Sequence, residues 1–380
     1  MEDAELTFII QDASTVLARR QDGAESRGTF VLNSLDFRTI GVFEDWLNRG
    51  NITRRLELEV FGTLLYRVLF SDQIGHFFEQ SLDKARKAKQ RLRVQLGYTE
   101  EAADLANLPW EYLYYPGIKA RAGFFLATNV DLVFSRYVQL QGYQALEPAQ
   151  SPLRILIVVS NPEYRDLPPV GAAQIIEAIQ TVAESYPIQI NILDKPTIDG
   201  FLDKLQETQP HVLHFIGHGL YSRDKREAEI ALLDKDEKSV RWVRDDVFVH
   251  FFTSIRTLPR LVFLHCCESA TTSDTYTAGF TNLALQLVRV GVQAVVAMRY
   301  PIPNNAAIVF SRAFYRALAK GESIDVAVQE GRWRITSSIP SAYNNRVFGT
   351  PVLYMSSRDA VIRPVEETAF KSIQPKRIEL

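Results

Sequence analysis

Apolar positions change their period part-way along the chain. Up to about residue 148, alternating runs and helical spacings are mixed. ELTFIIQ (5–11) and GTFVLNSL (28–35) predict strands, whereas LELEVFGTLLYRVLF (56–70) and IGHFFEQSLDKARKAKQ (74–90) predict helices. RLRVQLGY (91–98) alternates Leu92, Val94 and Leu96 with polar partners and predicts a half-buried strand. The segment QALEPAQSPL (144–153), rich in Pro, Gln and Ala and without apolar period, is the expected boundary, and a different rhythm follows it. RILIVVSNP (154–162) is a β-branched and leucine run of the kind buried on both faces of a parallel sheet. After it come a helix over 171–184, a strand IQINILDKP (188–196), a helix IDGFLDKLQETQ (198–209) and a strand HVLHFIG (211–217). LVFLHC (261–266), AGFTNLALQLVRVG (278–291), QAVVAMRYP (293–301) and NAAIVFSRAFYRALAKG (305–321) continue the alternation, with Gly321 as a helix stop. Strand and helix alternating this way predict a doubly wound α/β sheet, mostly parallel. EIALLDKDEKSVRWV (229–243) reads as a hairpin at one end of it, and FGTPVLYM (348–355) as a last short strand before a charged tail, 357–380.

Charge and cysteine usage narrow the classes. The formal net charge is −2, whereas phosphate binding needs a clustered basic face, so no direct nucleic-acid partner is expected. The basic run KARKAKQR (84–91) reads instead as a helix C-terminus favoured by the macrodipole. MEDAELTFII carries acidic residues where a secretory signal is positive, and its apolar run is too short to span a bilayer; a cytoplasmic protein with no membrane partner is expected. The two cysteines, Cys266 and Cys267, are neighbours and cannot staple distant segments. LPWEYLYYP (108–116) reads as a packing motif built on Trp110.

Ligands of such sheets bind beyond the carboxyl ends of the strands, and the chain puts two unusual clusters there. Gly217-His218-Gly219 closes the strand HVLHFIG, and His265-Cys266-Cys267-Glu268-Ser269 closes LVFLHC. Neighbouring parallel strands would bring His218 to the cysteines although 49 residues separate it from Cys267. Adjacent strand residues point to opposite faces, so only one of the two cysteines can meet His218. A metal is not expected, because adjacent cysteines chelate poorly whereas structural zinc sites space theirs by about two to four residues. Nucleotide binding is disfavoured too, since neither G-x-G-x-x-G nor a P-loop lysine follows the strand of RILIVVSNP. No cofactor is expected.

HFIGHG (214–219), LVFLHCCESA (261–270), FTNLALQLVRVGVQAVVAMRYPI (280–302) and FSRAFYRALAKGESIDVAVQEGR (310–332), in this order, resemble the CHAT proteases, caspase-related cysteine peptidases of clan CD. The likeness covers residues 108–356, beginning with LPWEYLYYP. It implies a caspase-like, mostly parallel sheet flanked by helices over 149–356, preceded by an N-terminal α/β region (1–148) that is a degenerate partner half or a docking platform. It also implies a cysteine endopeptidase with Cys267 as nucleophile and His218 as its dyad histidine, acting on a protein substrate. CHAT enzymes often serve bacterial stress or defence and are activated by a partner. The alternative is a catalytically silent module that holds a partner segment. In the family an alanine is more usual at the position of Cys266, which then reads as a small buried hydrophobe.

The chemistry of these residue types agrees with those roles. A thiol is only slightly ionised at neutral pH, and His218 can favour the thiolate or protonate the leaving amine. An attacked amide needs two backbone donors for its oxyanion; Gly219, without a side chain, and Cys267 are the expected pair. Gly217 is expected to free the backbone to turn as it leaves the strand. In caspase-like enzymes the pocket for the residue before the cut is lined near the first strand's end, two residues before the nucleophile, and at the fifth strand's end. Those regions carry Asn161 with Glu163, His265, and Arg299, with Glu268 and Asp274 close to the nucleophile. CHAT sequences more often have asparagine where His265 stands.

Overall fold

The computed structural model describes residues 3–30, 32–117, 122–138, 149–162, 170–222, 227–236, 239–267, 278–356 and 361–362. In chain order come strands β1 (Ala4–Ile10), β2 (Thr15–Arg20) and β3 (Glu25–Thr29), helices α1 (Ser34–Arg49), α2 (Arg55–Leu69) and α3 (Asp72–Lys87), and strand β4 (Leu92–Tyr98). Two short strands, β5 (Tyr114–Tyr115) and β6 (Phe124–Phe125), precede β7 (Leu132–Tyr137). Next are β8 (Leu153–Ser160), α4 (Ala172–Ala183), β9 (Ile188–Asp194), α5 (Ile198–Thr208), β10 (Val212–Ser222), β11 (Glu227–Leu233) and β12 (Val240–Arg244). The chain continues through α6 (Asp245–Thr253), β13 (Leu261–Cys267), α7 (Ala278–Arg289), β14 (Ala294–Met298), α8 (Asn304–Ala319), α9 (Ile324–Ser338) and β15 (Pro351–Met355).

Thirteen of these strands form one mixed, mostly parallel sheet in the order β9-β8-β10-β13-β14-β15-β7-β4-β1-β2-β3, with β11 and β12 added alongside β10. The run β9 to β14 is parallel, β15 returns antiparallel to β14, and β15 pairs with β7. The strands before residue 148 and those after it therefore share a single sheet. Its two faces carry separate cores. Ile216, Phe263, Val296 and Met298 pack with Phe310 and Phe314 of α8 on one face. Leu213, Phe215, Leu264 and Cys266 pack with residues of α5, α6 and α7 on the other. Helices on both faces explain the near-continuous apolar runs of β8, β13 and β14.

Three local expectations change. The apolar run GTFVLNSL does not form one strand: β3 stops at Thr29, and the Asn33 side chain accepts hydrogen bonds from Leu35 N and Asp36 N at 2.9 Å, starting α1. An N-cap thus overrides β-type residues. Strand β4, expected to be half-buried, is buried from Leu92 to Gly97: β1 and β7 take its two edges and α3 packs against it. Its Arg93 meets the Asp325 carboxylate at 2.6 Å, which satisfies a charge that alternation alone would have sent to water. The motif around Trp110 also holds a buried ion pair. Arg136 Nε donates to Glu111 Oε1 at 2.9 Å, while Arg332 reaches the carbonyls of Phe134 and Pro351. Burial opposes ionisation of Glu111, yet the Arg136 guanidinium holds its carboxyl below the ordinary value. The basic run ends α3 as expected, with Lys84 on Asp22 at 2.7 Å and Arg86 on Asp131 at 2.8 Å.

Candidate active site

The register of β10 brings the two sequence clusters together. On one edge, β10 runs parallel to β13 from Val212↔Leu261 to His218↔Cys267, so the histidine and the second cysteine are direct cross-strand partners. On its other edge, β10 pairs with β8 up to Gly217↔Ser160 and then with β11 from Gly219↔Ile230. His218 stands between those two partners, where the sheet forks. Ser160 Oγ closes the fork by donating to Ala231 O at 2.5 Å.

Gly217-His218-Gly219 is therefore not a strand end. β10 continues to Ser222 because β11 supplies a new antiparallel partner. The expected turn at Gly217 is absent, and neither glycine of the triplet is among those with positive φ. Its need for glycine is steric. A Cβ at 217 would lie 2.8 Å from the Phe215 ring and 3.0 Å from both Cβ and O of Ser160.

His218 is 3% exposed, and burial lowers its pKa, so the imidazole is neutral at neutral pH. Cys266, 3% exposed, belongs to the core with Leu264 and Phe215. Along β13, Phe263 takes the opposite face, where its ring stacks on His214 at 4.2 Å between centroids. His265 continues this stack at 6.0 Å from His214. Tyr315 of α8 is hydrogen-bonded to His214 Nδ1 at 3.0 Å. Burial pushes His214 well below its ordinary value and His265 down to about 4. Under the face of position 218 lies a layer of uncharged imidazoles and aromatic rings.

The remaining sequence candidates scatter. Asn161 follows β8, and its Oδ1 accepts from Val170 N at 3.2 Å. Arg299, after β14, is 4% exposed: Nη2 meets Glu44 of α1 at 3.0 Å and Asn107 O at 2.5 Å, and Nε donates to Tyr300 at 3.2 Å. Its charge is thus matched within the fold. Glu163, Glu268 and Asp274 lie outside the described residues. Sequence reading missed Glu44, Tyr315 and Ser160 as partners of this region, because each meets its partner across 71 or more residues. Among the described residues, no group of three or more His, Cys, Asp or Glu could hold a metal ion, and no helix is long and apolar enough to cross a membrane.

A mostly parallel sheet with helices on both faces is the fold that the CHAT motifs imply. The CHAT domain matches residues 59–346, and the chain belongs to that family. No curated protein matches it in sequence. Among solved structures, a chain of the Saccharomyces cerevisiae separase–securin complex is 13% identical, covering 87% of this chain and 20% of that one, with a TM-score of 0.38. This chain thus spans about a fifth of the length of that relative. Caspase-1 from Spodoptera frugiperda is 11% identical over 56% of this chain and 92% of that one, with a TM-score of 0.37. The complex of Porphyromonas gingivalis RgpB pro- and mature domains gives 11% identity, 87% and 78% coverage, and a TM-score of 0.46.

Proposed function

We propose that this chain is a cysteine endopeptidase that cuts a specific protein substrate with Cys267 and His218, in a bacterial stress or defence pathway and under the control of a partner. The single observation that carries this reading is the His218↔Cys267 register pair. Strand alternation supports the choice of cysteine: Cys266 shares the face of Leu264, which leaves position 267 on the face of Phe263 and His265. Neutral His218 takes the thiol proton as sulfur bonds to the scissile carbonyl carbon. The carbonyl π electrons move to oxygen, where the N–H groups of Gly219 and Cys267 are the proposed donors. Collapse breaks the C–N bond, the amine leaves with the proton from His218, and water then hydrolyses the thioester. Gly219 is held on one edge by its pairing with Ile230 of β11, one residue beyond the His218↔Cys267 pair.

Asn161 and His265 are the proposed pocket residues, with Glu268 beside the nucleophile. Arg299 is assigned a contribution through the Glu44 clasp, which fixes the end of β14. The 1–148 region is proposed as a docking platform sharing the catalytic sheet, and 149–356 as the peptidase unit. The test is cleavage of proteins encoded beside this one, together with labelling by a peptide electrophile. Cleavage and labelling that vanish in Cys267→Ala but persist in Cys266→Ala are expected; cleavage by Cys267→Ala overturns the proposal. A second reading, a silent module that holds a partner segment, draws on the burial of His218. It predicts no labelling of Cys267 even with the partner present.

A further inference from the structure

We infer that the groove between α8 and α9 docks an acidic segment of a partner protein, anchored by one apolar side chain. Two adjoining cavities of about 380 and 260 Å³ form it, and both are lined by Arg91, Val326, Glu330 and Arg334. It shares no residue with the candidate active site, so the inference does not rest on the proposed catalysis.

The larger cavity is cationic. Arg312, Arg316 and Lys320 recur every fourth residue along the exposed side of α8, while Phe310, Phe314 and Tyr315 bury its other side. Arg91 and Arg334 face them across the groove. Only two carboxylates line the same cavity. Glu322 is engaged with Arg91 at 3.4 Å and Glu330 with Arg334 at 3.1 Å. Arg312, Arg316 and Lys320 make no ion pair among the described residues. The helix dipole favours Arg316 and Lys320 near the end of α8, but it does not reach Arg312, about two turns earlier. Like charges at i, i+4 destabilise a helix, and an anionic occupant relieves that repulsion. The positive lining belongs to a chain whose formal net charge is −2, so it is a local concentration of charge.

The smaller cavity supplies the apolar part. Val130 is 63% exposed beside it, and the Trp333 ring lies 4.6 Å from the Arg334 guanidinium. A carboxylate-bearing strand or helix with one Phe or Leu matches both halves. A polyphosphate backbone suits the groove less well, because Glu322 and Glu330 stand among the cations and it offers a single side-chain-sized apolar niche. A planar bilayer cannot follow a concave floor between two helices.

Fluorescence anisotropy of a short fluorescein-labelled, glutamate-rich peptide with one central Phe tests this on the full chain. Binding is expected to weaken from low to physiological salt, and to fall at least about tenfold in the double variant Arg312→Glu, Arg316→Glu. Trp333→Ala is expected to weaken it about threefold or more, and to do so equally at both salt concentrations. Circular dichroism melting confirms that the exposed double variant folds. Equal binding by wild type and the double variant overturns the inference. So does tighter binding of a single-stranded oligonucleotide or of phosphatidylserine vesicles at the same residues.

Discussion

Gly217→Ala tests whether the glycine before His218 serves packing. The added methyl would sit 2.8 Å from Cε1 of Phe215 and 3.0 Å from Cβ and O of Ser160. The Phe215 contact involves the far end of a ring that can shift, whereas the Ser160 carbonyl belongs to β8, hydrogen-bonded to β10 at this level. Overpacking of this kind costs about 1–3 kcal/mol. Melting should therefore fall by about 2–4 °C for each kcal/mol, or somewhat less in a chain of this size. Because the strain enters beside the His218↔Cys267 pair, labelling of Cys267 by a peptide electrophile should also slow. Adding Phe215→Leu to Gly217→Ala should recover part of the melting loss by removing the ring contact. Melting of Gly217→Ala within 1 °C of wild type, roughly the resolution set by a few tenths of a kcal/mol, would refute the steric argument.

Glu111→Gln removes one partner of the buried pair with Arg136 and should cost about 3–5 kcal/mol in urea unfolding, because an unpaired guanidinium is left in the core. Tyr315→Phe takes the hydroxyl from His214 and should cost about 1 kcal/mol, read as a shift in the urea midpoint at constant slope. His265 titrates near 4 in the fold against an ordinary value of 6.5. The unfolded chain therefore binds its proton first, and stability should be full above pH 6.5 and decline as pH falls towards 4. His265→Phe should flatten that decline, and an unchanged pH profile in this variant would rule out His265 as its source.

The sheet was legible in the sequence wherever a strand is buried on both faces. RILIVVS, LVFLHC and AVVAM are unbroken apolar runs because helices cover both sides of β8, β13 and β14. Helix α8 was legible for the complementary reason: one side is packed and the other carries Arg312, Arg316 and Lys320. Helix α9 was not, since Ile324 to Gln329 are buried all round and no polar stripe marks its period. Arg93 and Gln95 suggested a solvent face for β4, and only the approach of Asp325 from α9 shows how a charge on that face is met away from water.

The sequence by itself determined the residue types of the candidate site and their order: a histidine between glycines, then a cysteine pair at the end of an apolar run. Local pattern carries that information, because strand alternation and residue chemistry extend over only a few positions. The tertiary structure decided which positions meet. Positions 218 and 267 are register partners of β10 and β13, Gly217 is pressed against Ser160, and Arg299 is claimed by Glu44. These contacts join residues tens to hundreds of positions apart, so they depend on how the strands are ordered and aligned, which no local stretch of the chain encodes.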